Sequence, residues 1–119
     1  IWQSIRDLPG VVAREVPRGS VETADALVFE SPSPEVAREL RKRLVDAGLA
    51  TKILPEAVTW HFAATWSHMP ELVEHHGDLA TAFPATAARL ARCVSLPVMV
   101  NMEDSVPARV RAALASALS

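Results

Sequence analysis

Apolar positions recur with a helical period in four stretches of the chain and gather into short continuous runs between them. The clearest stretch follows Ser33, a serine placed where a helix cap belongs. Pro34 takes the first helical position, and Val36, Leu40, Leu44 and Ala47 follow at spacings of four and three, so one stripe of the predicted helix is apolar. Gly48 supplies its carboxy-terminal stop. Trp2, Ile5 and Leu8 lie three apart ahead of Pro9-Gly10, which predicts a helix over residues 1–8. Pro84 opens a third pattern through Ala87, Leu90 and Ala91 that carries Cys93 at its end as a small buried hydrophobe. Ser105 is placed to cap a last helix with Val106, Val110, Ala113 and Leu118 on one stripe.

The runs between these helices read as strands. Val11 to Val16 is rich in β-branched residues and ends in the turn chemistry of Pro17-Arg18-Gly19-Ser20. Ala26-Leu27-Val28-Phe29 is continuous, as in a strand covered on both faces, and the two runs predict a hairpin-like antiparallel pair. Residues 49–55 and 95–98 are extended, while 70–78 form a short helix and a loop. No repeat or Pro/Gly/Ser-rich linker divides the chain. The expected result is a single domain over residues 1–119 of the α/β class, specifically an α+β two-layer fold whose small, mostly antiparallel sheet carries helices on one face.

Composition narrows the functional classes. Twelve basic and fourteen acidic side chains give a net charge of -2 with no long run of one sign, so no footprint for nucleic acid is present. Arg38, Glu39, Arg41, Lys42 and Arg43, opposite the apolar stripe of the second helix, read as a solvated surface. A single cysteine excludes a disulfide-stapled scaffold and points to a reducing cytoplasm. No apolar run approaches the roughly 20 residues of a membrane span. The apolar start Ile1-Trp2, without an initiator methionine, reads as a cut inside a longer protein.

The residues that can carry chemistry concentrate between Thr59 and Met69, where two of the three tryptophans and two of the four histidines fall within eleven residues. Trp60-His61-Phe62, with Trp66 and His68, would suit the rim of a pocket for a sugar or planar ring. Aromatic faces cover apolar sugar faces, and imidazole hydrogen-bonds hydroxyl or phosphate oxygen. On composition alone, the reading of both tryptophans as core anchors and the histidines as satisfied bystanders is the stronger one. His61, His68 and His75 are spaced by seven, but Pro70 breaks any common helix and the outer pair would be about 21 Å apart along it. A metal site is therefore not expected. His75 and His76 read as surface, and the scattered glycines make no phosphate loop or nucleophile elbow, so the chain is not expected to be an enzyme by itself.

The segment Phe83-Pro84-Ala85-Thr86-Ala87-Ala88-Arg89-Leu90-Ala91-Arg92-Cys93-Val94-Ser95-Leu96-Pro97-Val98, continued by Met102-Glu103-Asp104-Ser105, Val110 and Leu114, resembles the end of the DegT/DnrJ/StrS-type sugar aminotransferases. These belong to fold type I of the pyridoxal-phosphate enzymes, the aspartate aminotransferase-like group. In that family an Ala-Glu-x-Leu-Ala-like helix leads to a Leu-Ser-Leu-Pro strand and then to an acidic start of the final helix. Here Thr86-Ala87-Ala88 stands where the family usually has an acidic residue. The upstream order of hairpin, capped helix, Ala47-Gly48-Leu49-Ala50-Thr51-Lys52 and aromatic-histidine segment resembles the small domain of the same family, so the likeness covers nearly the whole chain.

The resemblance implies the carboxy-terminal small domain of an enzyme that transfers an amino group from an amino acid, often glutamate, to a keto-sugar, commonly nucleotide-linked. It implies that His61, with Trp60 beside it, contributes to substrate binding. Pyridoxal phosphate, its Schiff-base lysine and most phosphate contacts belong to a large domain of the parent, itself expected to be a homodimer, and the fragment alone binds no cofactor. Lys52 stands outside the family's cofactor-lysine motif. Some relatives use the same fold for sugar dehydration. The alternative class is a non-catalytic small-molecule-binding or regulatory α/β module.

Overall fold

A computed structural model describes residues 1–21, 24–49, 52–53 and 62–118, with Lys52 and Ile53 described by backbone alone. The chain folds into a four-stranded antiparallel sheet with helices on one face, an α+β architecture as expected. The strands are β1 (Val12–Ala13), β2 (Ala26–Glu30), β3 (Lys52–Ile53) and β4 (Cys93–Pro97), in the order β1-β2-β4-β3. The expected hairpin is present, with Val12 opposite Glu30 and Ala13 opposite Phe29. It is shorter than the β-branched run suggested, since only two residues of Val11 to Val16 enter the sheet.

β4 is central. It pairs with β2 so that Leu27 faces Leu96 and Phe29 faces Val94, and with β3 so that Ile53 faces Val94. Because side chains alternate across a strand, Phe29, Val94 and Leu96 fall on one face, where each is buried. Cys93 opens this strand instead of closing a helix. Its burial agrees with the sequence reading, while its secondary structure is corrected: the preceding helix stops at Leu90, and Arg92 delivers the chain to the sheet through its carbonyl, bonded by the Ser31 amide at 2.8 Å.

Two helices cover the Phe29 face. α2 (Pro34–Asp46) begins as expected, with the Ser33 hydroxyl accepting from the Val36 amide at 3.3 Å. It ends in a Schellman turn in which the Gly48 amide donates to the Val45 carbonyl and the Leu49 amide to that of Leu44, with Gly48 at φ +72°. Ala37, Leu40 and Leu44 are its buried stripe. The last helix, here α6 (Val106–Leu118), lies against α2 and buries Val106, Val110, Ala113 and Leu114. The stripe thus centres on Leu114, and Leu118 is only half-buried. Ser105 starts this helix through its carbonyl, which accepts from the Arg109 amide, while its hydroxyl donates to Glu103. α1 is only Trp2–Ile5; Leu8 reaches the core from the turn that follows.

Candidate functional site

The chain between β3 and β4 supplies the histidine- and aromatic-rich surface, and its described part begins at Phe62. A 3-10 turn over Ala63–Thr65 is closed by the Thr65 amide and hydroxyl, both donating to the Phe62 carbonyl. Pro70 then starts α3 (Pro70–His76), which stops at Gly77, φ +70°. Asp78 accepts from the Ala80 amide at 3.0 Å to cap the single turn of α4 (Leu79–Ala82), and Pro84 starts α5 (Pro84–Leu90). Proline and glycine thus cut this stretch into helices too short to stand alone in water.

What holds these turns together is a row of rings. Phe62 and Phe83 lie 6.0 Å apart between centroids, His76 is 5.2 Å from Phe83, and His75 stands edge-on to His76 at 4.7 Å. Leu79 is the only buried residue among the described residues from Phe62 to Arg92. An open concavity of about 400 Å³ is lined by Thr65, Ser67, Val73, Asp78 and Leu79. Two of its polar groups are engaged locally, the Thr65 hydroxyl by the Phe62 carbonyl and the Asp78 carboxylate by the Ala80 amide and the Thr81 hydroxyl.

Trp60 and His61, the residues singled out by sequence, lie outside the described residues. Phe62, their neighbour, is half-buried; so is Trp66, whereas His68 is exposed in the turn before α3. His75 and His76 are exposed, as expected. The structure sets Phe83 against both Phe62 and His76, a contact that sequence reasoning missed. No periodic pattern signals it, because the residues are joined across the breaks at Pro70 and Gly77. Among the described residues, no three His, Cys, Asp or Glu side chains come together to hold a metal ion.

A second polar cluster lies where this region rejoins the sheet. The Glu30 carboxylate, 12% exposed, accepts from Arg89 at 2.6 Å and from Arg92 at 3.4 Å, tying the end of α5 to β2. Next to it the Cys93 thiol donates to the Arg89 carbonyl at 3.4 Å. Burial, reinforced by the Glu30 charge, pushes the Cys93 thiol above its ordinary range against the opposing pull of the two arginines. A protonated, enclosed thiol is a poor nucleophile, so the cluster is a fastening for α5.

Two further concavities flank the main body. One of about 230 Å³ lies between the end of α2 and the start of α6, floored by Leu49, Leu96 and Val106, with Arg109 on its rim donating to the Ala47 carbonyl at 2.6 Å. The other, about 270 Å³, is formed by Ile1, Trp2, Ala24, Ala26, Leu27 and Val98 at the end of the sheet where β2 begins. Close by, Val98 leads into Met99 and Val100, and Val100 is fully exposed. No helix of the described residues is long and apolar enough to cross a membrane. No known protein-family model matches the chain, and no curated protein matches it.

Proposed function

We propose that this chain is the substrate-side domain of a pyridoxal-phosphate enzyme, forming one wall of a catalytic cavity that a larger, cofactor-bearing domain completes. Its specific assignment is the carboxy-terminal small domain of a DegT/DnrJ/StrS-type aminotransferase. The reaction is transfer of an amino group from an amino acid to a keto-sugar, commonly nucleotide-linked. The parent works in the cytoplasm as a homodimer.

The observation that carries this reading is the condition of residues 62–92. Half-buried rings at Phe62, Trp66 and Phe83 stand in a stretch whose one buried residue is Leu79, directly after the Trp60-His61 pair. An aromatic side chain left half in water retains much of its unrealised burial free energy, so a surface of this kind is suited to contact with a ligand or a larger body. The apolar concavity at Trp2 and the exposed Met99-Val100 turn are further surface of that sort. The central β4 and the helices on either side of it in sequence, α5 and α6, are the segment that resembles the family.

The residues described here do not fit the cofactor. Lys42 is exposed on α2, and the Cys93 thiol is enclosed and held protonated. On the family resemblance, the Schiff-base lysine and the phosphate cradle belong to the larger domain, where pyridoxal phosphate would act as the electron sink. This chain's part is recognition: His61 hydrogen-bonds a sugar hydroxyl or phosphate oxygen, and Trp60 covers an apolar sugar face.

Steady-state amination kinetics of the full-length parent carrying His61→Ala test the assignment. The expected outcome is a loss of about tenfold or more in kcat/KM for the sugar, equivalent to about 1.4 kcal/mol of transition-state stabilisation. The KM for the amino donor should stay unchanged. An unaltered kcat and KM for the sugar would remove His61 from the site, and a dehydrated sugar as product would place the parent among the dehydratases.

A further inference from the structure

No further inference is drawn: the strongest candidate, the cleft of about 230 Å³ between the end of α2 and the start of α6, carries nothing, because Arg109 on its rim is engaged in capping α2 through the Ala47 carbonyl and nothing in the structure shows what covers its apolar floor.

Discussion

At Gly10 the backbone turns with φ +79°, and a Cβ placed there would meet the Pro32 ring at 2.8 Å. Gly19 has almost the same conformation, φ +84°, with nothing within 4 Å of its absent Cβ. The pair separates two costs that are usually confounded. Gly19→Ala should lose only the left-handed penalty of about 1–2 kcal/mol, while Gly10→Ala adds a steric clash with a ring that has little freedom to yield. Urea unfolding of the two variants checks this, and equal losses would mean that Pro32 gives way. Cys93 offers a second test at this scale. Its thiol is raised by burial, so the folded state binds the proton more tightly than the unfolded chain does. The stabilisation is complete below the unfolded value, about 8.5, and falls away as pH rises through the folded value. Reaction with a disulfide reagent such as DTNB at pH 8 should therefore be slow in the native protein and fast in urea. Equal rates would contradict the buried placement.

Among the elements, α1 shows most clearly how a short piece is held by distant partners. Four residues cannot sustain a helix in water, yet Ile5 is completely buried. Arg111 on α6 fixes the turn that follows, donating to both Asp7 carboxylate oxygens at 2.6 and 2.9 Å and to the Ser4 carbonyl at 2.6 Å. The Arg111 hydrogen bonds, helped by the residue's own backbone amide, hold Asp7 below the usual carboxylate range. A depressed acid stabilises the fold above its unfolded value and loses that contribution as pH falls through the folded one. Asp7→Asn should accordingly lower the urea midpoint at pH 7, and the gap from the parent sequence should close as pH drops below about 4. A gap independent of pH would assign the effect to packing. The same clamp explains what the sequence conveyed and what it withheld. Ser33, Pro34 and Gly48 act on their immediate neighbours, so the ends of α2 are legible residue by residue. Asp7 and Arg111 are 104 positions apart, and no local pattern marks them as partners. The early stop of the helix predicted over 1–8 has the same cause, since its residues answer to α6 and the Pro9-Gly10 break more than to their own period. Cys93 was misplaced because Ala87, Leu90 and Ala91 carry a helical rhythm up to a chain that has already turned toward the sheet.

The whole molecule consists of a well-packed body and a less buried extension. Its radius of gyration is 15.9 Å, above the about 13.5 Å expected of a compact chain of this length. The body, where β2, β4, α2 and α6 enclose Phe29, Leu40, Leu44, Val94, Leu96, Val110 and Leu114, was largely legible in advance. Apolar period and burial agree there. From Phe62 to Arg92 they part: the Pro84 pattern predicts a buried face, yet Ala87 is exposed and Leu90 only half-buried. Periodicity records that a face is apolar without naming what covers it, and for the same reason the candidate site is readable as a concentration of rings at residues 60–68 but not as the contact of Phe83 with Phe62 and with His76. Native-state hydrogen exchange measures this division directly. Amides of α2, α6, β2 and β4 should exchange only near the global unfolding free energy, and those of α3, α4 and α5 through smaller openings. Glu30→Gln weakens the fastening of α5. With the Arg89 guanidinium 57% exposed, solvent screening keeps the effect of the lost pairing small, and it should show as a modestly faster opening of α5. The body amides should be unaffected. If α5 exchanged as slowly as α2, or if Glu30→Gln accelerated the body equally, the extension would be one cooperative unit with the core and not a surface held out from it.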